Sequence, residues 1–124
     1  MDEHPNAAVI RNLNDAMSAR DMEKGARYIA DDVVWHEIGS SEPIRGKAQL
    51  AERTGGFGDT QLEYDIHDIV ANDDHVIVLG TANATRAGKS LTYRTAEIYH
   101  VNGEQVTERW AFSDDTQAII DFFA

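Results

Sequence analysis

The chain has 124 residues, 42% of them hydrophobic and 27% charged, which is the length and balance of one folded domain with a real core, not of two domains or a disordered chain. Its 22 acidic against 11 basic residues give a formal charge of -11, which argues against nucleic acid and anionic membrane surfaces as partners. Cysteine is absent, which removes disulfides, thiolate metal sites and a cysteine nucleophile.

The first residues, Met1-Asp2-Glu3-His4-Pro5, lack the basic and then apolar character of a secretory signal, and no apolar run reaches spanning length, so the expected location is cytoplasmic. Val9, Ile10, Leu13, Ala16 and Met17 recur at helical spacing and predict an amphipathic helix over 7–19. Asp21 is a natural N-cap for a second helix running through Tyr28 and Ile29 and stopping near Asp31 and Asp32. A short strand over 33–38, a loop over 39–43 and a short helix over 47–53, ended by Gly55 and Gly56, follow.

From Leu62 the period changes to two, with Leu62, Tyr64 and Ile66 alternating with Glu63, Asp65 and His67. Turns at Asn72-Asp73-Asp74, Ala87-Gly88-Lys89 and Asn102-Gly103 divide the rest into strands over 75–86, 90–101 and 105–112. Asp114, Asp115 and Thr116 can cap a closing helix over 117–123. Helices first and an antiparallel meander afterwards predict one α+β domain over residues 1–124, its helices packed in a curved sheet that leaves a hollow for a small, largely apolar molecule.

Alternation places Val33, Trp35 and Glu37 on one face of the short strand. It likewise puts Leu91, Tyr93, Thr95, Glu97 and Tyr99 on one face of the long strand. Each set holds one carboxylate among apolar or aromatic neighbours, where a carboxyl group suits proton transfer near neutral pH. The alternative reading of Glu97 is a buried carboxylate bonded to Tyr93, Tyr99 or Arg109, with Arg109 removing the proton that an acid role needs. The histidines stand singly without metal-ligand spacing, so no metal is expected. Trp110 alternates away from Arg109 onto the outer face, where it suits a homodimer contact.

The segment Ala30-Asp31-Asp32-Val33-Val34-Trp35-His36-Glu37-Ile38-Gly39-Ser40-Ser41-Glu42-Pro43-Ile44-Arg45-Gly46 resembles a ketosteroid isomerase, as do Ala16-Met17-Ser18-Ala19-Arg20-Asp21 and Ala96-Glu97-Ile98-Tyr99-His100-Val101-Asn102-Gly103. The wider superfamily is NTF2-like, with the SnoaL-type polyketide cyclases, and the resemblance implies a cystatin-like cone. It also implies Glu37 as general base and Glu97 as acid or oxyanion donor, in cofactor-free acid–base chemistry on a small apolar carbonyl compound. Both positions carry aspartate in the isomerase, and Leu13 stands where the isomerase has its oxyanion tyrosine, for which Tyr28 and Tyr93 are possible substitutes. Gly80 and Ala111 stand where epoxide hydrolases and cyclases of the superfamily carry acidic residues. The expected site is therefore Glu37 and Glu97, with Leu13, Met17, Trp35, Tyr93, Thr95 and Arg109 around the ligand. A non-catalytic small-molecule binder is the alternative.

Overall fold

The computed structural model describes residues 3–55 and 60–124. In chain order the elements are α1 (Pro5–Ser18), α2 (Met22–Ala26), β1 (Ile29–Trp35), β2 (Ile44–Arg45), α3 (Lys47–Gly55), β3 (Gln61–Ala71), β4 (His75–Arg86), β5 (Lys89–Asn102), β6 (Gln105–Ser113) and α4 (Thr116–Phe123). The strands form one curved, open, six-stranded sheet in the order β2-β1-β6-β5-β4-β3. Every neighbouring pair is antiparallel except β1 and β6, which run parallel. This is the expected α+β cone, with N-terminal helices against the concave face of a meander. The expected stop of α3 at Gly56 falls outside the described residues. Among the described residues no helix is long and apolar enough to cross a membrane.

Pro5 opens α1 at a position where a missing N–H costs nothing, and the His4 ring accepts from Asn6 N at 3.1 Å. Asp21 caps α2 as the sequence predicts, accepting from Lys24 N at 3.1 Å. The next boundary differs from the sequence reading. The helix ends at Ala26 and the strand opens at Ile29, not Val33, because β6 captures the segment: Val106 N donates to Tyr28 O at 2.7 Å, and Ile29 lies opposite Val106. A parallel pairing across such a sequence separation leaves no local period to read. The same strand stops at Trp35, so Glu37 sits in a loop and not on the strand face with Trp35.

Val9, Ile10 and Leu13 of α1 pack with Val33, Trp35, Val76, Val78, Tyr99, Val101 and Val106 in the main core. Each such side chain withdrawn from water contributes roughly 1.5–3 kcal/mol, which anchors α1 to this half of the sheet. The other half holds a smaller cluster of Ala82, Tyr93 and Ile119, joined by Ile38, Tyr64, Leu91 and Phe123, with α4 as its cover. Along β4 the buried column explains this division: Val76 and Val78 fill the first half, then Gly80, Ala82 and Ala84 leave room in the second. On β3 a register shift between Ile66 and Asp68 changes the phase, so that Ile69 and Ala71 continue the inward face begun by Tyr64 and Ile66.

Candidate functional site

The polar interior is built by cross-strand register. Tyr99 of β5 lies opposite Arg109 of β6, and Arg109 lies opposite Trp35 of β1. The guanidinium is therefore held between the three strands. Its Nη2 donates to Glu97 Oε2 at 3.0 Å, its Nη1 donates to His36 O at 3.0 Å, and its Cζ stands 4.7 Å from the centroid of the Trp35 ring. Tyr99 OH donates to the other carboxylate oxygen, Glu97 Oε1, at 2.7 Å, and the Tyr99 ring meets Trp35 edge-on. The side chains of Arg109 and Glu97 are only 11% and 12% exposed. Burial works against the Arg109 charge, yet the adjacent Glu97 carboxylate outweighs it and raises the Arg109 pKa above its ordinary value. Arg109 Nε is buried and has no partner among the described residues.

Both Glu97 oxygens thus already have a donor within the protein, Tyr99 on one and Arg109 on the other. Of the partners that the sequence offers for a buried Glu97, Arg109 and Tyr99 are the two it meets. Trp35, Glu97 and Arg109 are thus brought together, as the sequence reading groups them.

Farther along the same face, Tyr64, Ala82 and Tyr93 form one cross-strand row, and Gly80 lies opposite Thr95 in the next. The Tyr64 ring crosses β4 over Gly80, where an added Cβ would collide with the ring and its hydroxyl. That crossing brings Tyr64 OH to 2.5 Å from Thr95 Oγ1, and Thr95 is itself buried. Burial, and then the Glu97 charge, push the Tyr64 pKa up to about 12; the same causes, in the same order, raise Tyr93 and Tyr99. All three phenols keep their protons at neutral pH and act as neutral hydrogen-bonding groups. Tyr64 is absent from the site read in the sequence, although its inward alternation and the lone glycine in the middle of β4 were both visible there.

Glu37 stands apart from this cluster. Arg53 Nε of α3 reaches both of its oxygens, at 3.1 and 3.2 Å, with the Glu37 side chain 23% exposed and that of Arg53 49%. The pair borders a groove of about 480 Å³ between the loop after β1, β2 and α3, whose other lining residues are Ser40, Glu42, Ile44, Gln49 and Glu52. A second hollow of about 240 Å³ lies between the middle of β5 and the end of β6, lined by Arg94, Thr95, Ala96, Phe112, Ser113 and Asp114. Among the described residues, the hydrogen-bond and ion-pair partners of Glu37 and Glu97 are separate.

The two expected wall residues of α1 differ in burial. Leu13 is fully packed in the main core, and Met17, one turn on, faces outward and is exposed. Helical spacing placed both on the apolar stripe, but the buried residues of α1 end at Ala16. Trp35, Tyr93 and Thr95 are buried on the concave side.

The convex face carries a different constellation. Val70, Ile77, Ile98 and Trp110 form one cross-strand row, and Leu79, Ala96 and Phe112 form the adjoining one. Val70, Ile77, Leu79 and Phe112 are exposed. Trp110 lies outward here, stacked on His36 at 5.3 Å between ring centroids and met edge-on by His100 at 4.9 Å. His36 Nε2 is 2.9 Å from Glu108 Oε2.

Residues 10–109 match the model of the SnoaL-like domain family. No curated protein matches the chain. Solved structures share its fold at low identity. An NTF2-like protein of unknown function from Burkholderia pseudomallei superposes with a TM-score of 0.87 at 17% identity, covering 98% of this chain and 99% of its own. An epoxide hydrolase from M. tuberculosis, of the LEH-like type, gives 0.80 at 20% identity over 89% of this chain and 83% of its own. IdmH, a candidate polyketide cyclase from Streptomyces antibioticus, gives 0.74 at 20% identity over 98% and 100%.

Proposed function

The chain belongs to the SnoaL-like domain family, and on that premise we propose that it holds a small, largely apolar, uncharged molecule in the second half of its cone. The observation that carries this reading is the buried Glu97–Arg109 pair, closed by Tyr99. Its charges cancel within the protein, so a neutral ligand can lie beside it without leaving a buried charge unmatched. In this reading Glu97 positions Arg109 and the strands around Trp35 and donates no proton. Tyr93, Thr95 and Trp35 stay as ligand-facing walls, and Leu13 serves the core behind them.

A panel of hydrophobic ketones tests it. Saturable binding should raise the melting temperature, the ligand should be recovered unchanged, and binding should survive Glu37→Gln. Failure of every neutral ketone to bind would sink the reading.

A second reading is favoured by Glu37, a half-buried carboxylate beside a groove and paired with a half-exposed arginine. Here a carbonyl compound lies in that groove, and Glu37 removes a proton next to its carbonyl, as in isomerase-like or cyclase-like chemistry without a cofactor. Deuterium exchange next to the carbonyl, lost in Glu37→Gln, would select this reading; equal exchange in both proteins would eliminate it.

We also propose a homodimer through the convex apolar rows around Trp110. Sedimentation equilibrium should show a dimer that Trp110→Ala weakens, and a monomeric wild type would rule it out.

A further inference from the structure

The interior has four buried or half-buried hydroxyls on the β3–β5 face, and they are not equivalent. Tyr99 OH is committed to Glu97. Tyr64 OH is fixed at 2.5 Å from Thr95 Oγ1, a contact in which either oxygen can donate. Tyr93, buried in the smaller cluster, has no hydrogen-bond partner for its hydroxyl among the described residues. Tyr64 and Tyr93 flank Ala82 in one row, with Gly80 beside it, so the smallest residues of β4 separate the largest hydroxyl-bearing side chains of its neighbours. When Thr95 donates to Tyr64, the phenolic proton points away from Thr95 and is free for a ligand.

We propose that Tyr64 and Tyr93 together recognise one oxygen of the ligand, a keto or hydroxyl oxygen on a neutral apolar skeleton, with Thr95 fixing Tyr64 from behind. The proposal rests on the reading of the cone as a ligand site and deepens it. It supplies the hydroxyl that the first helix lacks at Leu13, from the sheet instead of from α1. Selection against a carboxylate follows from geometry: the buried cation nearby already carries Glu97, so a second carboxylate would meet like charge without a partner. A neutral oxygen has no such penalty, and two phenols can donate to its two lone pairs. A hydrogen bond left unmade at a buried oxygen is costly, so the pair discriminates for oxygen as well as accepting it.

Three naphthalene probes test this: 2-acetylnaphthalene, 2-naphthoate and the oxygen-free 2-ethylnaphthalene. The ketone is expected to bind more tightly than either of the others, and its carbonyl stretch should move to lower frequency on binding than in an alkane solvent. Tyr64→Phe and Tyr93→Phe should each weaken the ketone about 3- to 10-fold, move the carbonyl stretch back, and leave 2-ethylnaphthalene within about 2-fold. Thr95→Val should reproduce part of the Tyr64→Phe loss, and Thr95→Ser should restore it. A bound ketone whose carbonyl stretch is unshifted in the wild-type protein, or equal losses for ketone and hydrocarbon in the Phe variants, overturns the phenol pair while the pocket stands. Absence of binding by all three probes overturns the pocket as well.

Discussion

Two of the glutamate–arginine pairs among the described residues stand in contrasting surroundings. Glu97 and Arg109 meet at 3.0 Å with side chains 11–12% exposed, whereas Glu37 and Arg53 meet at 3.1 Å with 23% and 49% exposed. In water two opposite charges at this distance gain about 1 kcal/mol and are screened by salt; in the interior both the attraction and the cost of a missing partner grow several-fold. The buried pair therefore belongs to the architecture, holding β5, β6 and the end of β1 in register. The more exposed pair has the smaller cost of opening.

The comparison can be broken most severely at Arg109. Arg109→Met should destabilise the fold by about 3–5 kcal/mol in urea denaturation, and adding Glu97→Leu should recover most of that loss, because an apolar pair leaves no charge stranded. A single variant as stable as wild type would show that the pair is not the buried anchor described.

Gly80→Ala is next, expected to cost about 1–3 kcal/mol by forcing the Tyr64 ring off β4. In a Tyr64→Ala background the same substitution should be nearly silent, and additivity of the two would contradict the crossing of Tyr64 over Gly80.

A smaller effect separates the phenols from the ion pairs through pH. The folded pKa of Tyr64 is raised from 10.0 to about 12, and those of Tyr93 and Tyr99 are raised too, so between these values the folded state holds protons that the unfolded state has lost. Stability from these hydroxyls is fully present below pH 10 and falls as pH rises toward and through 12. Tyr64→Phe should flatten this alkaline loss, seen as a weaker pH dependence of the melting temperature above pH 10. The change will be less than the full linkage value, since Tyr64 is only half buried.

The smallest stability effect belongs to Glu37→Gln, at under about 1 kcal/mol and reduced further by salt. Its effect on proton exchange, by contrast, decides between the binding and catalytic readings. A large stability loss here would erase the distinction between the two pairs.

Much of this was legible in the amino-acid order. Period two placed Tyr93, Thr95, Glu97 and Tyr99 on one face and turned Trp110 to the other, and the turns bounded β4 at His75 and Arg86 without error. Even the Glu97–Arg109–Tyr99 contacts stood among the sequence alternatives, because a mid-strand glutamate needs a partner and those were the inward residues close enough to serve.

Local period could not fix what depends on a distant strand. It opened β1 four residues late because the pairing of Ile29 with Val106 joins segments far apart in sequence, and it carried Glu37 along a strand that ends at Trp35. It passed over Tyr64 because the value of that hydroxyl arises only where Gly80 lets the ring cross to Thr95. Along β4 and the Leu91–Tyr99 run of β5 the sequence by itself determined which side chains face inward, since alternation is a property of each unbroken strand alone. Register between strands is a property of pairs, so only the tertiary structure decided which inward groups meet and are bound to one another.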